Sequence, residues 1–169
     1  MEQKNTHVMY GAISGIGCIV IALIIHIAKL DTATWAGWLV YIPFLGGLVL
    51  NALAFSKAND GNITFKSAFG SGFKATLIIG IFMVIWAVIT VYAFPEIKEM
   101  ALEKAREGMM KQPGMSDDTM DKALEFTRKG YTTIMISSAV FGTLIAGSIF
   151  SLIAAAVAPK KPQREDAFS

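Results

Sequence analysis

The sequence contains very few of the residues that bind metals or form disulfides. Among its 169 residues there is one cysteine, Cys18, and there are two histidines, His7 and His26. A single cysteine cannot form an intrachain disulfide. A zinc site would need a cluster of cysteine, histidine or carboxylate ligands, and the two histidines lie far apart in the sequence. We therefore expect no bound metal and no cofactor.

Charged residues are also scarce. Asp, Glu, Lys and Arg make up 17% of the chain, and hydrophobic residues make up 54%. An average soluble domain has about 25% charged and about 45–50% apolar residues. The net charge of +2 is small, and no basic stripe interleaved with aromatic residues is present, which argues against binding of nucleic acid. The composition instead indicates a protein surrounded by lipid.

Four long stretches contain no Asp, Glu, Lys or Arg. They cover residues 8–28, 35–55, 75–94 and 132–158. A helix of about 20 residues is about 30 Å long, which matches the hydrocarbon core of a bilayer. We predict an all-α fold, an integral membrane four-helix bundle that forms a single domain over residues 1–158. Pro43, near the start of the second stretch, is expected to kink that helix.

Two polar segments separate the later stretches. Residues 56–74 contain the turn signal Asn-Asp-Gly-Asn and then an amphipathic, phenylalanine-rich piece, which we expect to lie at the membrane interface. Residues 95–130 are strongly charged, begin with a proline and contain a Gln-Pro-Gly break. They predict an extramembrane helical hairpin between the third and fourth transmembrane helices. Residues 159–169 predict a polar tail.

Polar side chains inside the apolar stretches are the candidates for a functional site, because such groups are costly in lipid. The candidate intramembrane positions are His26 and Asn51. The stretches contain no carboxylate, lysine or arginine, which argues against a proton-coupled pump. One interpretation of His26 is a contact to a proton or a ligand. We favour the other, a histidine near the interface that is bonded to a backbone carbonyl or to Asn51.

Small residues recur at helical spacing in two of the stretches. The candidate helix-packing positions are Gly11, Gly15, Gly142, Gly147 and Ser151. Small residues allow two helix backbones to approach closely in a membrane. We predict that they form packing faces within the bundle, and contact with a second copy or with a partner protein is the alternative.

The order of these segments resembles that of a known family. Residues 61–69 read Gly-Asn-Ile-Thr-Phe-Lys-Ser-Ala-Phe, and they precede a third apolar stretch that ends at Pro95 and a charged segment. This layout resembles the domain-of-unknown-function family 4199, small four-span inner-membrane proteins of Bacteroidetes. The resemblance covers about residues 8–158. It implies the four-helix architecture and a bacterial inner-membrane location, and it brings no catalytic residues.

Four spans would place both chain ends on one side of the membrane. Lysines and arginines are nearly balanced between the two sides, but those on the side of the termini lie close to the ends of the spans. Because basic residues near span ends set the orientation, we expect the termini to be cytoplasmic.

The pattern favours a protein that is not an enzyme, since no Ser/His/Asp or Cys/His arrangement is evident. We expect an accessory or structural subunit of a larger inner-membrane complex. The alternative is a small oligomeric transporter or channel without an intramembrane carboxylate. The expected partners are the lipid bilayer and either another membrane protein or a second copy of the chain.

Overall fold

Five α-helices make up most of the part of the chain that the computed structural model describes, residues 5–31, 33–111, 114 and 116–161. The helices are α1 (Thr6–Ile27), α2 (Tyr41–Ala58), α3 (Phe65–Ala93), α4 (Pro95–Met110) and α5 (Asp117–Val157). A short 3-10 helix, Ala36–Val40, runs directly into α2. No strand occurs among these residues, so the prediction of an all-α fold is confirmed for them.

Four helical segments are long and apolar enough to cross a membrane. They are α1, α3, α5 and the continuous segment Ala36–Ala58, which consists of the 3-10 helix and α2. In an apolar stretch of 18 residues in each segment, only 28% is buried within the protein. The outer faces carry large exposed aliphatic side chains, among them Ile13, Ile16, Leu50, Ile81, Ile145 and Ile149. A soluble protein rarely exposes so much contiguous apolar surface. The four helices therefore indicate a multi-pass membrane protein.

The second apolar stretch begins with tight turns. Proline has no N–H group, and its ring clashes with the carbonyl group four residues earlier in an α-helix. Pro43 is the third residue of α2, where an N–H group has no partner within the helix. The preceding residues form the 3-10 helix. Pro43 thus lies in the first turn of α2 and does not interrupt its interior.

The phenylalanine-rich segment before the third apolar stretch is part of α3. Thr64 caps this helix: its Oγ1 accepts a hydrogen bond from the N–H of Ser67 at 3.1 Å. The Ser67 hydroxyl accepts one from the N–H of Thr64 at 3.0 Å. This reciprocal capping box fixes the helix start. The turn before it has positive φ at Asp60 (53°) and Gly61 (75°), as its sequence predicts.

The second half of the predicted hairpin and the fourth apolar stretch form one helix, α5. Ser116 caps it by accepting a hydrogen bond from the N–H of Thr119 at 3.3 Å. The helix then continues through Gly130 to Val157 over 41 residues. Gln112 and Pro113, on which the predicted break before α5 depends, lie outside the described residues.

The long helix α3 lies at the centre of the bundle. It contacts α1, α2 and α5, whereas α1 and α5 do not contact each other within the described residues. After α5, the N–H of Lys161 donates to the carbonyl of Gly61 at 2.9 Å, so the residues that directly follow α5 lie against the α2–α3 turn. Residues 162–169 of the predicted tail lie outside the described residues.

Candidate functional site

Two glycines of α1, Gly11 and Gly15, lie against α3. A Cβ atom at Gly15 would lie 2.6 Å from the ring of Phe82, and one at Gly11 would lie 2.9 Å from Cβ of Ile78. Both glycines are buried. Any larger side chain would push the two helices apart, so these positions allow α1 and α3 to approach closely.

Gly147 and Ser151 lie in the contact between α5 and α3. A Cβ atom at Gly147 would lie 2.1 Å from Cγ2 of Thr76. One helical turn further, the Ser151 hydroxyl lies 3.4 Å from Oγ1 of Thr76, and a Cβ atom at Gly72 would lie 3.0 Å from it. The small residues of α5 are therefore used for contact with α3 at these two positions.

Gly142 differs from the other small residues. It is exposed, and a Cβ atom there would have no other atom within 4 Å. Contrary to the prediction, Gly142 takes no part in packing within the bundle. It is one residue, and hence about 100° of helix rotation, away from the buried Thr143. Gly142 instead lines an open groove of about 230 Å³ between the start of α2 and α5.

Asn51 is fully buried between α2 and α3. Its amide Nδ2 donates to the Ser71 hydroxyl at 3.1 Å. Its carbonyl oxygen Oδ1 has no hydrogen-bond partner among the described residues. The predicted bond between His26 and Asn51 is not present, because His26 lies at the end of α1 and Asn51 lies in the middle of α2. A hydrogen bond of this kind between membrane helices contributes about 0.6–2 kcal/mol.

His26 lies at the end of α1 between two carboxylates. Its Nδ1 is 3.2 Å from a carboxylate oxygen of Asp31, and its Nε2 is 3.5 Å from Oε1 of Glu96. Its ring contacts the ring of Phe94 at a centroid distance of 4.4 Å. Its side chain is 17% exposed. The prediction that His26 is bonded to a backbone carbonyl or to Asn51 is therefore wrong.

The apolar pattern of the sequence does not single out Asp31 and Glu96. One clue is present, because each carboxylate stands directly beyond the end of an apolar stretch, and both ends are on the same side of the bundle. Asp31 follows α1, and Glu96 is the second residue of α4. Their meeting at His26 depends on how the helix ends are arranged, which spacing does not determine.

His26, Asp31 and Glu96 form a cluster, and the arrangement of these three side chains is not that of a metal site. The two carboxylates approach opposite nitrogens of one ring, so the three groups do not converge on a single point. Among the described residues, no group of three or more His, Cys, Asp and Glu side chains could hold a metal ion. When protonated, His26 can donate to both carboxylates. The cluster then connects α1 with the start of α4.

The charged helices α4 and α5 pack against each other beyond this cluster. Leu102 of α4 and Met120 of α5 are both buried. Arg128 pairs with Glu99 across the two helices at 2.7 Å. An exposed ion pair of this kind contributes little stability, so the apolar contacts carry more of the association.

Two large apolar side chains on these charged helices have little cover. The Phe126 side chain is 77% exposed, and Met110 is 67% exposed. Between α4 and α5 there is also an open groove of about 280 Å³. It is lined by Glu99, Leu102, Glu103, Arg106, Leu124, Glu125 and Arg128. The surface thus combines an aromatic ring with charges of both signs.

These features define a class of protein: a helical multi-pass membrane protein with a charged helical element next to its bundle. The chain belongs to the family described as proteins of unknown function, DUF4199, whose family model matches residues 9–160. The family that residues 61–69 indicated is thereby confirmed. No curated protein and no solved structure matches the chain.

Proposed function

We propose that the protein is a non-enzymatic accessory or structural subunit of a larger complex in a bacterial inner membrane. In this proposal, α4 and the charged first part of α5 lie outside the bilayer as a helical hairpin. This hairpin binds a partner protein. The observation that carries the proposal is the exposed ring of Phe126 on the hairpin.

The length of α5 supports a position of Phe126 outside the hydrocarbon. Its 41 residues correspond to about 60 Å, about twice the thickness of the hydrocarbon core. The stretch free of charged residues begins only at residue 132. Charged side chains on either side of Phe126, Glu125 and Arg128, would be costly in lipid and favour a position in water.

An aromatic ring that projects from a charged helix is typical of a protein contact. Aromatic side chains bury a large area, and they are enriched among the residues that contribute most to protein interfaces. The surrounding charges would form the polar rim of such a contact. Within the bundle, by contrast, the polar side chains of Asn51, Ser71, Thr76 and Ser151 are bonded between helices, which supports a structural role for the membrane part.

Photocrosslinking in native membranes tests this proposal. A photoreactive amino acid would replace Phe126, and a matched control would carry it at Asp121, an exposed position about 140° away around the same helix. We expect a discrete crosslink to a different protein from position 126, and a weak or absent one from position 121. Phe126→Ala should reduce the size of the complex on a native gel by the mass of that protein.

Other outcomes would contradict the proposal. Crosslinks from position 126 to lipid alone would place the ring in the membrane interface. Crosslinks to a second copy alone would favour the alternative, a small oligomeric transporter or channel. In that case His26, held between Asp31 and Glu96, would be the first residue to replace.

A further inference from the structure

The end of the bundle opposite the hairpin is strongly basic. The described residues at this end include one acidic residue, Asp60, and five lysines: Lys57, Lys66, Lys74, Lys160 and Lys161. None of the five forms an ion pair with a carboxylate among the described residues. Lys160 donates to the carbonyls of Ala155 and Ala158 at the end of α5. The other four lysines are exposed and available to an anion.

Two of these lysines flank an open position on α3. Lys66, Gly70 and Lys74 follow each other at four-residue steps, so they lie along one face of the helix. The outer two are about 12 Å apart along the axis. A Cβ atom at Gly70 would have no other atom within 4 Å. Since lysine has a flexible four-carbon stem, both ammonium groups can reach an anion above Gly70.

Directly below the lysines, the same face of α3 opens into an apolar groove. This groove has a volume of about 350 Å³ and lies between α3 and α5. Its walls include Leu77, Ile81, Val84, Val140 and Leu144. Leu77 is three residues from Lys74, toward the middle of the apolar stretch. On this face of α3, an open position between two lysines lies at the depth of the lipid headgroups. An apolar groove follows it toward the middle of the membrane.

We propose that this face binds one anionic phospholipid. The phosphate of the headgroup lies above Gly70 between Lys66 and Lys74, and an acyl chain occupies the groove that begins at Leu77. Anionic headgroups are attracted by clustered lysines at the membrane surface, and the apolar groove favours a ligand that carries an acyl chain. The rings of Phe69 and Phe73, stacked at 6.1 Å, border the lysines and suit the interface between headgroups and hydrocarbon. This site is independent of the hairpin.

Native mass spectrometry of the full chain in detergent tests the site. Phosphatidylglycerol or phosphatidylcholine would be added, and bound lipid counted. We expect phosphatidylglycerol to bind more tightly than phosphatidylcholine. Lys66→Gln combined with Lys74→Gln should weaken phosphatidylglycerol binding about thirty-fold, because each lysine near a membrane surface contributes a factor of about five. Gly70→Leu should weaken it without changing the charge.

The control variant combines Lys57→Gln with Lys161→Gln, which removes the same charge from the same end of the protein. It should change the affinity less than two-fold. An equal loss in the control, or no preference for the anionic lipid, would overturn the proposal in favour of diffuse attraction. Competition by inorganic phosphate at the concentration of the lipid would show a phosphate site and would overturn it as well. Thermal unfolding without added lipid shows whether each variant is folded.

Discussion

At the scale of single residues, the bundle depends on positions where a side chain is missing. Gly15 of α1 and Gly147 of α5 allow these two helix backbones to lie close to α3, against Phe82 and Thr76. Membrane helices have little hydrophobic driving force for association with each other, so dispersion and hydrogen bonds at such close contacts matter more than in water. The hydrogen bond between Thr76 and Ser151 is formed at such a place.

Two glycines of α5 should therefore respond in opposite ways to the same substitution. Gly147→Ala would place a Cβ atom 2.1 Å from Thr76, and we expect it to lower the free energy of unfolding by about 1–3 kcal/mol. Gly142→Ala meets open space, and we expect it to raise the free energy of unfolding by about 0.5–1 kcal/mol, because alanine favours a helix more than glycine does. Unfolding in mixed detergent micelles measures both.

Equal destabilisation by the two substitutions would show that Gly142 is also packed, for example against a second copy. The sequence places both glycines among small residues of α5, but the two differ by about 140° around the helix. Spacing alone identifies a small-residue surface. Which of its edges contacts α3 depends on the position of α3, and that is a property of the tertiary structure.

At the scale of helices, α5 is a single rod that passes from the charged region into the bundle. The change from charged to apolar residues near Gly130 resembles the end of one element and the start of another. Polarity reports the surroundings of a helix, however, and it does not report a break in its backbone. Residues 117–157 contain no proline, and a Cβ atom at Gly130 would meet only ordinary contacts within its own helix.

Substitution of Gly130 tests this continuity. Gly130→Pro should cost about 3 kcal/mol and bend α5, because proline removes a helical hydrogen bond and clashes with the preceding turn. Gly130→Ala should leave the helix intact. Spin labels at Lys122 and Ile134 should be separated by about 18 Å along the axis in the unchanged chain and in the alanine variant. The proline variant should give a shifted or broadened distance distribution.

A separation well below this value in the unchanged chain, with no effect of proline, would show that a hinge exists at Gly130. Without a hinge, movement of the charged part of α5 is transmitted to the bundle.

The four apolar helices could be predicted from the sequence because their length and composition are set by lipid. The continuity of α3 and α5 could not be predicted, since their first turns differ in polarity from the rest of each helix.

At the scale of the whole molecule, the two ends of the bundle differ in chemistry. The end that carries α4 and the start of α5 has acidic and basic residues in similar number, together with the cluster of His26, Asp31 and Glu96. The other end has mainly lysines, and they lie within a few turns of the helix ends. Basic residues near the ends of the spans have the greatest influence on orientation, whereas acidic residues have little. We therefore expect the lysine-rich end to face the cytoplasm.

Labelling of single cysteines determines this orientation. The fully buried Cys18 would first be replaced by alanine, and a cysteine would then be introduced at Lys57, in the last turn of α2, or at Lys122. In intact cells, a membrane-impermeant maleimide should label position 122 and leave position 57 unlabelled until the membrane is opened. The reverse pattern would place the hairpin in the cytoplasm and limit its partners to proteins there. Labelling of both positions in intact cells would contradict four membrane crossings, because the two positions lie at opposite ends of the bundle.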